Sequence, residues 1–201
     1  KNKNAKTNQI VYSKILKRGI MSDPLGIKLV IRTVDNFPIS GIRFRDITNL
    51  LETPEAFSKV CKELTRITQE FGANKIISIE SRGFIFAGSV AKDLQLPFIL
   101  ARKPGKLPNE TYKKNFDLEY GSTTIEIQKN TSISSIDKIV IIDDLVATGG
   151  TAIACADLLL ENFNVLKEQI MVLTVIDLIG LKGSRNIKKL GLKIKALVTY
   201  D

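Results

Sequence analysis

Blocks of β-type and helical apolar spacing follow one another along this chain, and they predict strands and helices in turn. The predicted strands cover residues 75–79, 97–101, 123–128, 138–142, 169–176 and 193–199. Helices are predicted between them, at residues 84–94, 152–162 and 181–190. Because strands and helices alternate through the middle of the chain, the predicted fold class is α/β, with a mostly parallel central sheet flanked by helices.

Two further helices are predicted ahead of the first strand. Ser22 and Asp23 offer an N-cap for a helix that ends near Arg32. The second helix covers residues 54–71, where apolar residues recur at helical spacing, and Gly72 ends it.

Two stretches show neither the helical nor the β-type spacing of apolar residues. Residues 36–49 mix apolar and charged residues and are predicted to form a loop ahead of the sheet. Residues 103–121 are rich in Lys, Pro, Asn and Gly. Since a loop of this length inside a compact domain is usually functional or disordered, residues 103–121 are predicted to form a flexible loop.

The composition is that of an ordinary globular domain. Of the 201 residues, 44% are hydrophobic and 25% are charged, enough for one domain with a sizeable core. No apolar stretch approaches the roughly 18 residues of a membrane span, and the N-terminus has no signal-peptide core. We therefore expect no membrane partner. Cys61 and Cys155 lack metal-ligand spacing and indicate buried thiols in a reducing compartment, which predicts a cytoplasmic protein.

The positive charge is concentrated at the N-terminus. The chain carries 30 basic and 21 acidic residues, a net charge of +9, and residues 1–30 hold seven of the bases against one acid. Residues 31–201 therefore carry 23 bases and 20 acids, a net charge of only +3. Residues 1–21 are predicted to be a disordered or peripheral extension, and we do not expect it to bind nucleic acid. Residues 22–201 are predicted to form a single domain.

The most informative chemistry lies at residues 139–151. A β-branched run there predicts a buried parallel strand, and open α/β sheets bind ligands at the carboxyl ends of such strands. Asp143 and Asp144 lie at that end, and their carboxylates can accept hydrogen bonds from the vicinal hydroxyls of a ribose. The segment Ala147-Thr148-Gly149-Gly150-Thr151 then opens a helix with free amides and two hydroxyls, which is typical of a phosphate site.

Two basic or glycine-containing turns share that strand-end position: Ser81, Arg82 and Gly83, and then Arg102, Lys103 and Lys106. The first turn alone is a weak signal, but it offers backbone amides for a second anion. The second turn places three cations within five residues, where they can neutralise an anionic ligand.

Two other segments are candidates for contacts with a base. Glu119, followed by Tyr120, lies at the far end of the predicted flexible loop, where a carboxyl group can act as a general acid or hydrogen-bond a purine nitrogen. The predicted loop at residues 36–49 contains Ile42, Arg43, Phe44 and Arg45. Its main-chain groups can read the edge of an aromatic base while apolar side chains pack on its face.

These motifs together resemble the type I phosphoribosyltransferase family. FPxxGIxFRDIT, ESRGF, RKxGKLP, LEYG, VIIDDLVATGGT and a late LKG occur in the order found in its adenine-specific members, over about residues 30–201. The resemblance implies the type I fold, with an N-terminal hood at about residues 33–50 and a flexible active-site loop at about residues 103–121. It also implies magnesium-dependent transfer of the phosphoribosyl group from 5-phosphoribosyl diphosphate (PRPP) to adenine, giving AMP and diphosphate, by a homodimer.

The resemblance also implies a role for each motif. Asp143 and Asp144 would hold the ribose hydroxyls, and Ala147, Thr148, Gly149, Gly150 and Thr151 the 5′-phosphate. The diphosphate would be held by Ser81, Arg82, Gly83, Arg102, Lys103 and Lys106, in part through a loop that often contains a non-proline cis peptide. Ile42, Arg43, Phe44 and Arg45 would contact adenine. Catalytic roles would fall to Glu119, Arg82 and Tyr120.

No direct protein ligand for Mg²⁺ is implied. The ion would be held mainly by PRPP and diphosphate, and Asp143 or Asp144 is the candidate for any protein contact.

Two departures from the family pattern bear on the choice of base. Ser40 stands where the hood usually has a second proline, and Arg43 replaces a small aliphatic residue. A transferase for a 6-oxopurine is therefore the main alternative. A regulator that senses PRPP is the other, although no helix-turn-helix segment precedes residue 30.

Overall fold

The computed structural model describes residues 23–118 and 121–201. Two compact units are distinguished within the chain. Among the described residues, the first comprises 23–60 and 197–199, and the second comprises 61–118, 121–196 and 200–201.

The first unit begins with short elements: a 3-10 turn at Ile27–Val30, strands β1 (Arg32–Asp35) and β2 (Arg43–Asp46), and helix α1 (Thr48–Leu51). The α-helix predicted to reach Arg32 is wrong. The Asp23 carboxylate does cap the turn, since it accepts hydrogen bonds from the amides of Ile27 at 2.8 Å and Lys28 at 3.0 Å. The turn then gives way to β1, because the β-branched residues that follow favour an extended backbone.

The hood is an antiparallel ribbon rather than the predicted loop. β1 pairs with β2 so that Val34 lies opposite Phe44, and the rings of Phe37 and Phe44 meet edge to face at 5.0 Å. Each strand has only four residues, which is too short for its alternation to stand out in the sequence.

Helix α2 (Pro54–Phe71) confirms the predicted second helix. Val60, Leu64 and Ile67 are buried along one face, as helical spacing requires. Gly72 follows with a φ of +73°, a left-handed conformation that ends the helix at little steric cost.

The chain also contains a five-stranded sheet, whose strand order is β4-β3-β7-β8-β9. The strands are β3 (Lys75–Ile79), β4 (Phe98–Ala101), β7 (Ile139–Val146), β8 (Ile170–Leu178) and β9 (Lys193–Tyr200). The β3–β4, β3–β7 and β7–β8 pairs are all parallel, which confirms the predicted mostly parallel sheet. β7 extends through Val146, so Asp143 and Asp144 lie within the strand rather than after it.

Three helices accompany this sheet: α3 (Gly83–Leu94), α4 (Gly150–Phe163) and α5 (Gly183–Lys189). The core of the second unit contains alanine, leucine and cysteine side chains of α4 together with β-branched residues of β3, β7 and β8. Cys155 is completely buried in this core, as predicted, and no helix among the described residues is long and apolar enough to cross a membrane.

A second antiparallel ribbon joins β5 (Thr111–Leu118) to β6 (Gly121–Gln128). The prediction of irregular structure over 103–121 is therefore wrong for β5. Tyr112 and Phe116 pack against the core, and Lys114 on the same side of β5 pairs with Asp157 of α4 at 3.5 Å. Since one of these inward positions is a lysine, the alternation of apolar and polar residues is interrupted. The sequence pattern therefore does not predict this strand.

Candidate active site

The carboxyl ends of β3, β4 and β7 surround a cavity of about 430 Å³ within the second unit. Parallel α/β sheets bind ligands at this edge. The predicted site residues on its wall are Ser81, Arg82, Arg102, Lys103, Asp143, Asp144 and Thr151. Residues from three separate motifs therefore meet in one cavity.

The two adjacent carboxylates are held in different ways. Asp144 forms an ion pair with Arg82, with Nε and Oδ2 2.9 Å apart. The Asp143 carboxylate instead accepts a hydrogen bond from the backbone amide of Asp144 at 2.8 Å. A cation that belongs to the predicted diphosphate turn thus lies on a carboxylate of the predicted ribose site.

Burial shifts the titration of both carboxyl groups upward. It raises the pKa of Asp143 well above its ordinary value, and the negative charge of Asp144 raises it further. Burial also raises the pKa of Asp144, although the Arg82 guanidinium partly offsets that rise. Both groups are therefore costly to ionise until a ligand supplies hydrogen-bond donors or positive charge.

Gly83 lets the diphosphate turn pack directly behind Asp143. A Cβ atom at this position would lie 2.7 Å from Ser78 Oγ and 3.0 Å from both Asp143 Oδ1 and the Ile142 carbonyl oxygen. Ser78 Oγ itself donates to the Ile142 carbonyl oxygen at 2.7 Å. Only glycine leaves room for this contact, although Gly83 itself is not among the residues that line the cavity.

The predicted phosphate loop precedes α4 and is supported by α5. Gly149 has a φ of +86° and is the N-cap of α4. The amide of Gly183 donates to the Ala147 carbonyl at 3.0 Å, and a Cβ at Gly183 would lie 2.2 Å from that oxygen. The Asn186 side-chain amide also donates to the Thr148 carbonyl at 3.2 Å.

The three cations predicted for diphosphate differ in position. Arg102 and Lys103 line the cavity, whereas Lys106 is not among its lining residues. The Lys106 carbonyl oxygen instead accepts a hydrogen bond from Arg102 Nη1 at 3.0 Å. The peptide bond between Glu80 and Ser81 is cis, as the family resemblance implied.

Eight lining residues are absent from the sequence-based set: Ile79, Glu80, Ala101, Phe116, Thr123, Thr124, Ile125 and Leu145. Four of them belong to the β5–β6 ribbon. An isolated antiparallel bridge between Arg102 and Glu126 brings these ribbon residues to the cavity. Local sequence patterns do not predict such a pairing, because its partners are far apart in the chain. Glu80 could have been predicted from the sequence as a site residue, because it directly precedes the Ser81 turn.

The residues predicted to contact adenine lie in the first unit, on or beside β2. Arg43 is exposed, and its Nε lies 3.3 Å from Asp35 Oδ1 across the ribbon. Arg45 is buried and donates to the Thr33 hydroxyl. Glu119 and Tyr120, predicted to be catalytic, lie outside the described residues.

The donor set of the cavity fits a magnesium ion carried in by its ligand. Among the described residues no group of three or more His, Cys, Asp or Glu side chains is placed to hold a metal. Asp143 and Asp144 offer two carboxylates at one end of the cavity. Mg²⁺ commonly binds through one or two carboxylates together with substrate phosphates and water, so this sparse set is sufficient.

Comparison with known proteins agrees on one family. Residues 46–195 match the phosphoribosyl transferase domain family. The adenine phosphoribosyltransferase of Pelagibacter ubique is 41% identical over 177 residues, which cover 88% of this chain and 98% of that protein. That of Pasteurella multocida is 42% identical over 181 residues, or 90% of this chain and 98% of the relative.

Solved structures give the same result. The adenine phosphoribosyltransferase of Giardia lamblia, crystallised with 9-deazaadenine, is similar with a TM-score of 0.80 and 33% identity over 89% of this chain and 98% of that one. The Saccharomyces cerevisiae enzyme, crystallised with an iminoaltritol bisphosphate and adenine, has a TM-score of 0.74 and 34% identity, covering 86% and 96% of the two chains.

Proposed function

This chain belongs to the phosphoribosyl transferase family, and on that premise we propose that it is an adenine phosphoribosyltransferase. It transfers the 5-phosphoribosyl group of PRPP to adenine and releases AMP and diphosphate, a reaction of purine salvage. One observation carries the proposal: two carboxylates, three cations and the Thr151 end of the phosphate loop share one cavity.

The ribose and its phosphate would be held by β7 and the loop that follows it. Asp143 and Asp144 would accept hydrogen bonds from the ribose hydroxyls, which supply the donors that these buried carboxylates need. The amides of residues 147–151, at the positive end of α4, would hold the 5′-phosphate. Ser81, Gly83, Lys106 and the lining cations would serve the diphosphate.

In the chemical step, the bond from C1′ to adenine N9 forms as the bond from C1′ to diphosphate breaks, and the proton of adenine N9 is released to water. The diphosphate leaves with the electron pair, so the chain must stabilise negative charge at that end. Arg82, Arg102 and Lys103 line the cavity and would supply this stabilisation. Bound Mg²⁺ would add further charge neutralisation to the diphosphate oxygens, with Asp143 or Asp144 as its protein contact.

The remaining roles belong to segments whose relation to this cavity is inferred from the sequence alone. We propose that Ile42, Arg43, Phe44 and Arg45 contact adenine, and that Glu119 and Tyr120 close over the reacting centre. The ion pair between Arg43 and Asp35 supports a reading in which the Arg43 backbone, rather than its guanidinium, contacts the base. We also propose one phosphoribosyltransferase domain at residues 22–201, with a peripheral extension before it that does not bind nucleic acid.

We further propose that the protein works as a homodimer in the cytoplasm. β4 is an edge strand of the sheet, and the side chains of Leu100 and of Ile85 on α3 are 37% and 41% exposed. A second copy that covers these apolar side chains would remove them from water. Cys61 and Cys155 are free thiols, which suits a reducing compartment.

The proposed reaction is tested with the full chain, PRPP, MgCl₂ and each of adenine, hypoxanthine, guanine and xanthine. We expect AMP and diphosphate from adenine and at least about a hundredfold lower kcat/KM with the 6-oxopurines, because a site built for one pattern of donors rejects another. Turnover of a 6-oxopurine but not adenine would contradict the assigned base. PRPP binding without turnover of any base would instead indicate a sensor.

A further inference from the structure

The Glu80 carboxylate joins two parts of the site that are far apart in sequence. Its Oε2 atom accepts hydrogen bonds from Arg102 Nε and from the backbone amide of Lys103, each at 3.0 Å. The Glu80 side chain is only 14% exposed. One oxygen therefore ties the turn after β3 to the segment after β4.

Arg102 is restrained at two further points. Its backbone amide and carbonyl pair with Glu126 at 2.9 and 2.7 Å, and its Nη1 donates to the Lys106 carbonyl at 3.0 Å. A guanidinium group has five N–H donors, and the contacts with Glu80 and Lys106 use two of them. Three donors remain for an anion in the cavity that Arg102 lines.

We propose that Glu80 is a positioning residue, which fixes the Arg102 guanidinium and the start of the Lys103 segment so that both cations face the diphosphate. The inference rests on the proposed transfer reaction. In the alternative role, the Glu80 carboxylate would only compete with diphosphate for Arg102 and Lys103. A positioning contact strengthens diphosphate binding, whereas a competing anion would weaken it.

The two roles are separated by Glu80 variants of the full chain. Glu80→Gln keeps an oxygen that can accept both hydrogen bonds but removes the charge, whereas Glu80→Ala removes both acceptors. For Glu80→Ala we expect KM for PRPP, and KM for diphosphate in the reverse reaction, to rise about tenfold, the usual effect of losing a hydrogen bond to a charged group. KM for adenine should stay within about twofold of the parent value, and Glu80→Gln should restore most of the loss.

Glu110→Ala is the matched control, because Glu110 also pairs with a cation, Lys129 at 3.1 Å, but is 84% exposed. We expect it to leave all these constants unchanged. If Glu80→Ala fails to fold, Glu80→Met replaces it, since methionine keeps the side-chain length without a strong acceptor. The proposal is overturned if the variant without an acceptor binds PRPP as tightly as the parent, or more tightly, or if Glu80→Gln is equally impaired.

Calorimetric titration with magnesium diphosphate keeps this test independent of turnover. If the parent chain converts no base, the proposed function fails, yet the ranking of the variants in diphosphate affinity still tests Glu80. Equal affinity of the parent and Glu80→Ala in that titration would overturn the positioning role alone.

Discussion

At Asp143, the requirements of binding and of folding oppose each other. The folded chain withdraws this carboxyl group from most of the solvent and places it beside a second carboxylate, which raises its pKa, whereas the unfolded chain exposes it to water. A carboxyl group whose pKa is raised on folding reduces stability as pH rises from its unfolded pKa through its folded pKa. The ligand-free protein should therefore be less stable near neutral pH than its packing alone would allow.

We accordingly expect Asp143→Asn to raise the melting temperature of the ligand-free protein near pH 7, typically by a few degrees for a gain of about 1 kcal/mol. The advantage should shrink as pH falls towards about 4, the ordinary carboxyl pKa, because both proteins are then neutral at this position. The same variant should lose its PRPP-dependent thermal shift. Melting curves from about pH 4 to about pH 8 measure both effects.

Asp93→Asn serves as the control, because it makes the same substitution at an exposed carboxylate that pairs with Lys92. A destabilised Asp143→Asn variant at neutral pH would contradict this account.

A second residue-scale prediction concerns Gly83. Gly83→Ala would force a methyl group to within 2.7 Å of Ser78 Oγ and 3.0 Å of the Ile142 carbonyl oxygen. We expect it to cost ~1–3 kcal/mol of unfolding free energy, because a well-packed site cannot make room without shifting its backbone. PRPP affinity should fall as well, since Asp143 is one of the displaced groups.

Gly88→Ala is the matched control in the same helix, because nothing lies within 4 Å of a Cβ built there. We expect it to be stabilising by ~0.5–1 kcal/mol, as glycine is a poor residue for a helix interior. Chemical denaturation compares the two variants. A Gly83→Ala protein as stable as Gly88→Ala would show that the turn yields easily.

At the scale of elements, the β5–β6 ribbon is attached to α4 through a small number of contacts. Tyr112 meets Phe163 edge to face at 5.4 Å, and the Lys114 ammonium group pairs with both Asp157 and Glu161. Because the hydrogen bonds with Glu161 and Asp157 raise the pKa of Lys114, the ammonium group favours the docked ribbon. Since Phe116 and Thr123 line the cavity, movement of the ribbon changes the wall of the site.

We expect Lys114→Ala to increase amide hydrogen exchange in β5 and β6 while global stability falls by no more than ~1 kcal/mol, because the lost ion pairs are partly exposed. KM for PRPP should rise by a few fold. Glu110→Ala removes the exposed Lys129–Glu110 pair next to the ribbon but keeps the Lys129 ammonium group over the Tyr112 ring, and it should leave exchange unchanged. Exchange that increases equally throughout the sheet would indicate a general loss of stability instead.

The same ribbon shows how far the sequence alone could be used. The apolar run at residues 139–142 and the spaced apolar residues of Pro54–Phe71 identify their elements, because buried strands and amphipathic helices each leave a recognisable apolar pattern. Short or charged strands such as Thr111–Leu118 leave none, since Lys114 occupies an inward position. The carboxylates and the glycine-rich turn were recognisable from local chemistry. The ribbon residues on the cavity wall were not, because they reach it through pairing between distant segments.

At the scale of the whole molecule, the exposed apolar side chain of Leu100 on edge strand β4 predicts how two copies associate. If two copies meet along β4, Leu100→Lys should shift the protein from dimer to monomer in sedimentation velocity, because a charge cannot be buried there without a partner. Ile136→Lys places the same charge on another exposed apolar residue, 84% exposed, and should leave the dimer intact. An unchanged dimer in the Leu100→Lys protein would exclude β4 from the interface.

The support beneath the phosphate loop also bears on when the protein becomes competent during synthesis. Ala147 and Gly149 pack on Gly183, a residue that the ribosome adds only after all of β7, α4 and β8. A nascent chain that ends before Gly183 contains every residue of the glycine-rich turn yet lacks the surface against which that turn is shaped. We therefore expect PRPP to stabilise chains whose synthesis is nearly finished, rather than to act as an early folding template.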